Sequence, residues 1–493
     1  MGCSIATHQR KTITKPALPS FTVQPTNFVI ENDRSFHDVY RLGKLLGTGS
    51  YGEVRLCVNR ATSIKRAVKI IRKDLLASPK QRETLDKEVN ILKSLDHPGI
   101  IRVFEYFEEV KRLYIVTESC LGGELFDEII KQKTLSEYHS ALIMKQIFSV
   151  LEYLQTQEIV HRDIKPENIL LQEKHNLLSL KIIDFGSAIN CSKSNRLSSS
   201  YGTLYYMAPE VIEGNYNYLC DLWSAGAILF VLLSGCLPFD GKHNEEVVES
   251  IKGMRFCLES EGWGQVSEAA KELIKSLLCP EQVRLNSTRA LGSEWISKYS
   301  NPEVGLNKVT DVLASLEKFR ASHILKDAIK TYMTIQYISM ADIKDLKEVF
   351  LLLDKDYDGK ISQKELLAEY CKLVNEKEAK SVVQKILSEV DSDRNGFIDY
   401  SEFLRANVDI RKIVNEENLR NAFRAFDQDN SGKISSEELG RVLEGESFND
   451  CGQWKKIIED FDINGDGEID IEEFGMLLKN SSEAGGGNQC LFK

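Results

Sequence analysis

The chain has 493 residues, 42% hydrophobic and 28% charged, with a formal net charge of −11. That length leaves room for about three or four globular domains at roughly 100–200 residues each. The acidity is uneven: residues 341–493 carry 34 acidic against 21 basic side chains and the rest 40 against 42, so nothing in the charge calls for nucleic acid as a partner.

Eleven cysteines are scattered singly, with no C-x-x-C pair, which reads as reduced thiols in a cytoplasmic protein. The most apolar run, "AGAILFVLL" at 225–233, is shorter than the roughly 18 residues of a membrane span and reads as a buried helix. Residues 1–39 are expected as a leader. Gly2 could take myristate and Cys3 palmitate, with Arg10, Lys11 and Lys15 facing anionic lipid, although Ala6 departs from the simple acylation pattern. The alternative is an unmodified tail.

From residue 40 the pattern alternates as strands do, through "EVRLCV" (53–58) and "RAVKII" (66–71). Ahead of the first run stands "GTGSYGEV", with Gly47, Gly49 and Gly52. Dinucleotide-binding folds share G-x-G-x-x-G, but there it opens a helix; here it leads into a strand, as a hairpin over nucleotide phosphates does. A tight turn would explain the glycines alone. The motifs that follow do more: Lys69 in "RAVK", Glu88 in "LDKEVNIL", "HRDIKPEN" (161–168), "DFG" (184–186), "APE" (208–210) and "DLWSAG" (221–226).

This ordered set resembles the eukaryotic protein kinase domain over residues 40–296. The resemblance implies an α+β bilobal fold, serine/threonine-directed phosphoryl transfer, and the cofactors ATP and Mg2+. Phosphoryl transfer needs positioning and charge neutralisation more than covalent chemistry. Asp163 is implied as the base for the substrate hydroxyl, with Lys165 two residues on. Asn168 and Asp184 are implied as magnesium ligands, and Lys69 paired with Glu88 as the phosphate-binding lysine. Leu46, Gly47, Thr48, Gly49, Ser50, Tyr51, Gly52, Val54 and Ala67 are implied around the nucleotide. Thr117 takes the gatekeeper position and Glu118 to Cys120 the hinge. Glu124 and Glu167 stand where basophilic kinases contact a basic residue of the substrate; the bland reading is two solvated acids. Two departures stand out. "CPEQVRLNSTRALGSEW" has an odd residue before Arg284, the expected partner of Glu210, and no His-Pro before Trp295. Ser199 occupies a position where related kinases place an acid, so a phosphate there could pair with Arg162.

After residue 296 comes "LEKFRASHILKDAIKTYM" (316–333), within an expected junction helix at 297–340. It is apolar at Val312, Leu316, Phe319, Ile324, Ala328 and Met333, with Lys318, Arg320, Lys326 and Lys330 interspersed. An ordinary linker is polar or rich in Gly, Pro and Ser.

From Asp354 the chain repeats at spacings of 37, 36 and 35 residues. Each loop offers oxygen side chains at positions 1, 3, 5 and 9, Gly at 6, a backbone carbonyl at 7, Ile at 8 and Glu at 12, which is the ligand set calcium takes. The first two sets are Asp354, Asp356, Asp358, Lys360 and Glu365, then Asp391, Asp393, Asn395, Phe397 and Glu402. The last two are Asp427, Asp429, Ser431, Lys433 and Glu438, then Asp462, Asn464, Asp466, Glu468 and Glu473. Magnesium-filled or structural loops are the competing reading. An all-α domain of two lobes is expected over 341–480, like calmodulin, with Leu346, Phe350, Phe423 and Phe461 in its core or groove, and a flexible tail at 481–493. Cys490 in the terminal "CLFK" does not make a prenylation box, since Lys493 falls outside the usual set.

The whole arrangement resembles the calcium-dependent protein kinases of plants and protists, over residues 40 to about 480. The resemblance implies a monomeric, calcium-activated kinase acting on protein substrates, its junction both inhibiting the enzyme and binding its own calcium domain. A calcium-sensing pseudokinase scaffold, or a kinase needing separate calmodulin, are the alternatives; loss of Lys69, Asp163 or Asp184 would mark the first, and all three are present.

Overall fold

The structure is a computed structural model and describes residues 29–479, apart from 33, 50–51, 77, 175, 178, 193–194, 200, 260, 301–305, 320–323 and 445–450. Gly2, Cys3, Ser50, Tyr51, Arg320 and the 481–493 tail lie outside the described residues.

The small lobe is a six-stranded sheet in the order Ile30–Glu31, Val103–Glu108, Arg112–Thr117, Lys65–Arg72, Gly52–Asn59, Tyr40–Gly49. All pairings are antiparallel except the first, which is parallel. Residues 29–39, expected within the leader, therefore pack on this lobe. Phe36 is fully buried, stacked 4.4 Å from the Tyr114 ring, in a cluster with Tyr40 and Phe107. The Pro79–Lys93 helix closes the lobe. Ser78 and Gln81 form a capping box ahead of Pro79, which needs no partner for a backbone N–H it lacks.

The large lobe is built round Glu137–Thr156 and Leu219–Ser234. The second holds the 225–233 apolar run, buried on all sides as expected of a helix with no polar face. The sequence departures near its base are absorbed. Arg284 reaches Glu210 through both guanidinium nitrogens and also donates to the Leu219 carbonyl at 2.9 Å. Trp295, with no His-Pro before it, is fully buried and donates from its indole nitrogen to Glu137 at 2.6 Å.

Among the described residues the expected junction helix shows two helical stretches, Leu306–Lys318 and Ile324–Tyr337, and residues 320–323 between them lie outside the described residues. The two stretches bury their apolar faces in different places. Val309, Val312, Leu313 and Leu316 pack with Phe350, Phe403 and Leu404 of the first calcium lobe. Leu325, Ala328, Ile329, Tyr332 and Met333 pack with Phe423, Phe426, Trp454 and Phe474 of the second. Leu346 and Phe461 are partly buried in these clusters. Within each lobe the two loops pair through a short strand at position 8, Ile361 against Ile398 and Ile434 against Ile469.

Candidate active site and calcium loops

Lys69, on the Lys65–Arg72 strand, meets Glu88 of the Pro79–Lys93 helix at 2.6 Å. Burial opposes the Lys69 charge, but the Glu88 and Asp184 carboxylates outweigh it and raise the ammonium above its usual range. A cavity of about 430 Å³ opens beside the pair, lined by Gly49, Gly52, Val54, Lys69, Glu88 and Asp184. The glycines differ in role. A Cβ at Gly52 would stand 1.8 Å from the Ile70 carbonyl oxygen, whereas Gly47 and Gly49 face open space. The expected adenine-side residues stand on adjoining strands: Ala67 pairs across the sheet with Thr117, ahead of Glu118 and Cys120, and Leu46 lies on the outer strand. The Glu118 carboxylate turns away to the rear, where it meets Lys181 at 2.7 Å and accepts from Gln172 at 2.7 Å.

Asp163 accepts from the Thr203 hydroxyl at 2.9 Å and meets the Lys165 ammonium at 2.8 Å. Asn168 donates to the Asp163 carboxylate at 3.1 Å. Burial works against the Asp163 charge, yet the Lys165 and Thr203 bonds prevail and lower its titration below the ordinary range. A carboxylate so held stays ionised and aimed. Asp184 takes a left-handed backbone (φ 63°) and accepts from Gly186, while Phe185 is buried against His161. Arg162, at φ 69°, is held by Asp221, which accepts from the backbone of both His161 and Arg162 at 2.8 Å.

Arg162, the expected partner of a Ser199 phosphate, has several partners of its own. Arg162 donates to the Ser187 carbonyl at 2.5 Å and to the Tyr216 hydroxyl at 3.3 Å, and its guanidinium lies 4.4 Å from the Tyr201 ring. Tyr216 in turn donates to the Ser199 carbonyl at 2.6 Å. Arg196 clamps the same segment to Glu281 at 2.6 and 2.8 Å. Sequence reasoning missed Tyr201, Thr203, Tyr216 and the Arg196–Glu281 clamp, because none carries a spacing that announces its partner.

Beyond Thr203 lies the large lobe's outer face, a cavity of about 600 Å³ lined by Phe126, Ile130, Glu167, Thr203, Tyr205 and Cys236. Glu167 Oε2 is buried there with no hydrogen-bond partner. Glu124 is exposed nearby. Burial first, then Asp127 and Glu167, raise its carboxyl.

The calcium loops fit the ion they were expected to hold. The carboxylates of Asp354, Asp356 and Glu365 converge, as do those of Asp391, Asp393 and Glu402, and of Asp427, Asp429 and Glu438; each set lies within 4.8 Å. Asp354 Oδ1 is buried without a hydrogen-bond partner, an orphan that a cation would satisfy. The fourth loop shows no such three-carboxylate cluster among the described residues. Asn464 takes its third position, and Glu473 accepts from Ile463 and Asn464 as Glu365 does from Lys355 and Asp356. Burial first, then neighbouring acids, raise Asp358 to about 6 and Glu402 to about 8, with Lys360 and Arg405 only partly offsetting the effect.

The calcium domain sits against the rear of the two lobes, away from the cleft. Arg66 lies 3.1 Å from the Phe104 ring centroid and donates to the Gln336 carbonyl at 2.5 Å. Ser401 N donates to Asp96 at 2.8 Å, and Lys347 reaches the Leu180 carbonyl at 3.4 Å. Among the described residues, none of the junction lines the cavity at Lys69 or the one at Thr203.

A bilobal fold with a paired lysine and glutamate, followed by two pairs of acidic helix-loop-helix units, has the architecture of a protein kinase that carries its own calcium sensor. The comparisons agree. The protein kinase domain family matches residues 40–296, and the EF-hand domain pair matches 343–406 and 416–475. The chain is 36% identical to calcium-dependent protein kinase 4 of Plasmodium berghei, over 95% of this chain and 92% of that one. It is 38% identical to calcium-dependent protein kinase 5 of Plasmodium falciparum, over 92% and 80%. The chain belongs to the calcium-dependent protein kinase family. It is a calcium-activated serine/threonine protein kinase that uses ATP and Mg2+, acts on proteins and is regulated through its own EF-hands.

Proposed function

We propose that calcium controls this kinase by deciding where the two junction helices are held. The observation that carries the reading is the burial of both apolar faces in the calcium lobes, on the side away from the cleft, while Lys69 and Glu88 are paired. Without calcium the lobes close, their grooves no longer fit the helices, and the junction with its acidic domain holds the enzyme idle. Calcium shifts this balance only through its different affinities for the two states.

In the active state Asp163 takes the proton of the substrate hydroxyl, and Lys165 beside it steadies the charge on the transferring group. Lys69, positioned by Glu88, holds the nucleotide phosphates. Asn168 and Asp184 are the magnesium ligands in this reading; bound magnesium supplies charge neutralisation on the phosphates. Glu167, whose buried carboxylate oxygen lacks a partner, receives a basic side chain upstream of the target serine or threonine, with Glu124 at the edge. The chain works as a monomer in the cytoplasm, with acylation of Gly2 and Cys3 bringing it to membranes; lipid labelling of Gly2→Ala and Cys3→Ser variants tests that point.

The test is peptide phosphorylation against free calcium for the whole chain. Asp163→Asn abolishes activity at every calcium level, and Glu365→Gln shifts the curve to higher calcium. Deleting residues 316–493 raises calcium-free activity; a truncated enzyme as idle as the calcium-free whole chain sinks the inhibitory role of the junction.

A further inference from the structure

The four calcium loops are nearly identical in ligands but not in surroundings. Positions 4 of the first three loops, Tyr357, Arg394 and Asn430, all adopt left-handed backbone. Arg394 and Asn430 are exposed, whereas Tyr357 is half-buried against the large-lobe core, with the Lys145 ammonium 5.3 Å from its ring centroid. The position-6 glycines separate in the same way. Gly396, Gly432 and Gly467 have nothing within 4 Å of where a Cβ would stand. At Gly359 a Cβ would lie 2.5 Å from the Tyr153 ring and 3.1 Å from His97. In the first loop, then, the turn that gathers the calcium ligands is also the surface that fits the enzyme.

We propose that the first calcium loop is the docking element through which calcium and the kinase domain feel one another, with Tyr357 and Gly359 seated on Lys145, Tyr153 and His97 of the large lobe. The φ values of +60° at Tyr357 and +84° at Gly359 belong to the tight turn that Asp354, Asp356 and Asp358 require in order to converge on one ion. A loop relaxed out of that turn withdraws Tyr357 from Lys145 and lifts Gly359 off Tyr153. Ligation favours the docked shape, and by linkage the docked kinase domain raises the calcium affinity of this loop by the same factor. The second loop assists from its far end, where Ser401 donates to Asp96 and the Tyr400 ring faces Arg102 at 5.6 Å. The proposal rests on the calcium loops being the regulatory sites, and it assigns the coupling to one of them.

The experiment is equilibrium calcium binding to the whole chain by competition with a chromophoric chelator, alongside the calcium dependence of peptide phosphorylation. Tyr357→Ala and Lys145→Glu are each expected to weaken one site by about tenfold and to raise the half-activating calcium, a coupling in the ordinary range. Arg394→Ala, at the same position of the second loop, leaves both curves where they were. Lys145 lies outside the calcium domain, so its variant leaves the loop's own residues intact. A carboxylate placed there would by charge alone tighten calcium binding, so a weakening reports lost docking. The proposal is overturned if Lys145→Glu leaves binding unchanged, even where Tyr357→Ala weakens it, or if Arg394→Ala weakens binding as much. A wild-type chain that binds calcium without being activated sinks the regulatory reading instead, and the binding curves still judge the docking.

Discussion

At the scale of single residues, the segment around Ser199 gives Arg162 partners other than an acid. Ser199 sits where an acid would meet Arg162, but the guanidinium is occupied by the Tyr201 ring, the Tyr216 hydroxyl and the Ser187 carbonyl. A cation over an aromatic face is worth about 0.5–2 kcal/mol, depending on exposure. These contacts tie Arg162 to the segment that carries Ser199. Tyr201→Ala is expected to lower kcat about tenfold with KM for ATP little changed, Tyr201→Phe to restore most of it, and Ser199→Ala to behave as wild type. Steady-state kinetics on protein treated with phosphatase checks all three. Lys69, Glu88, Asp163 and Asp184 were singled out in the sequence by the ordered motifs that carry them, and the structure brings Lys69 and Glu88 into contact, with Asp184 close enough to raise the Lys69 ammonium. Tyr201 and Glu281 were not, because their roles lie in partners 39 and 85 positions away, which no local spacing encodes.

At the scale of elements, periodicity identified the junction as amphipathic but could not say that two lobes would divide it. A 3.6-residue pattern reports which face is buried, never by what. The same limit hid Lys347, on the Met340–Leu353 helix, which no motif singles out. It is buried behind the hinge, near Lys181, Glu118, Cys120 and Glu348, and burial together with Lys181 pushes its ammonium down to about 7. The undocked side chain titrates near the usual value of about 10.4. Docking is therefore strongest above that value, weakens as pH falls towards 7, and loses nothing more below it. Half-activating calcium is expected to fall between pH 7 and 8.5 in the wild type, and Lys347→Met should flatten that part of the dependence. A full calcium titration at three pH values, comparing the two proteins, decides it; an equal slope in both removes Lys347 from the account.

At the scale of the molecule, sensor and enzyme share one chain, and the junction's apolar faces are already filled by the chain's own lobes. A tethered ligand meets its site at an effective concentration set by the linker and not by the solution. Half-activating calcium should therefore stay constant over a thousandfold dilution, and added calmodulin should leave the activity curve unmoved. A curve that moves with either revives the reading of a kinase served by a separate calmodulin. The order of the parts was legible, since complete motif sets do not overlap. Their mutual placement was not, because the contacts that set it, such as Ser401 with Asp96 or Arg66 with Gln336, join residues hundreds of positions apart.

The outer face of the large lobe has one more consequence. Cys236 is exposed on the rim of the cavity that holds Glu167 and Thr203, while the hinge thiol of Cys120 is pushed up by burial and stays protonated. Once the other exposed thiols, Cys257 and Cys371 among the described residues, are replaced, an alkylating reagent has a handle at Cys236, beside the face proposed above for the incoming polypeptide. A photo-crosslinker attached at Cys236 would bond covalently to whatever chain is being phosphorylated, turning the enzyme into bait for its own targets.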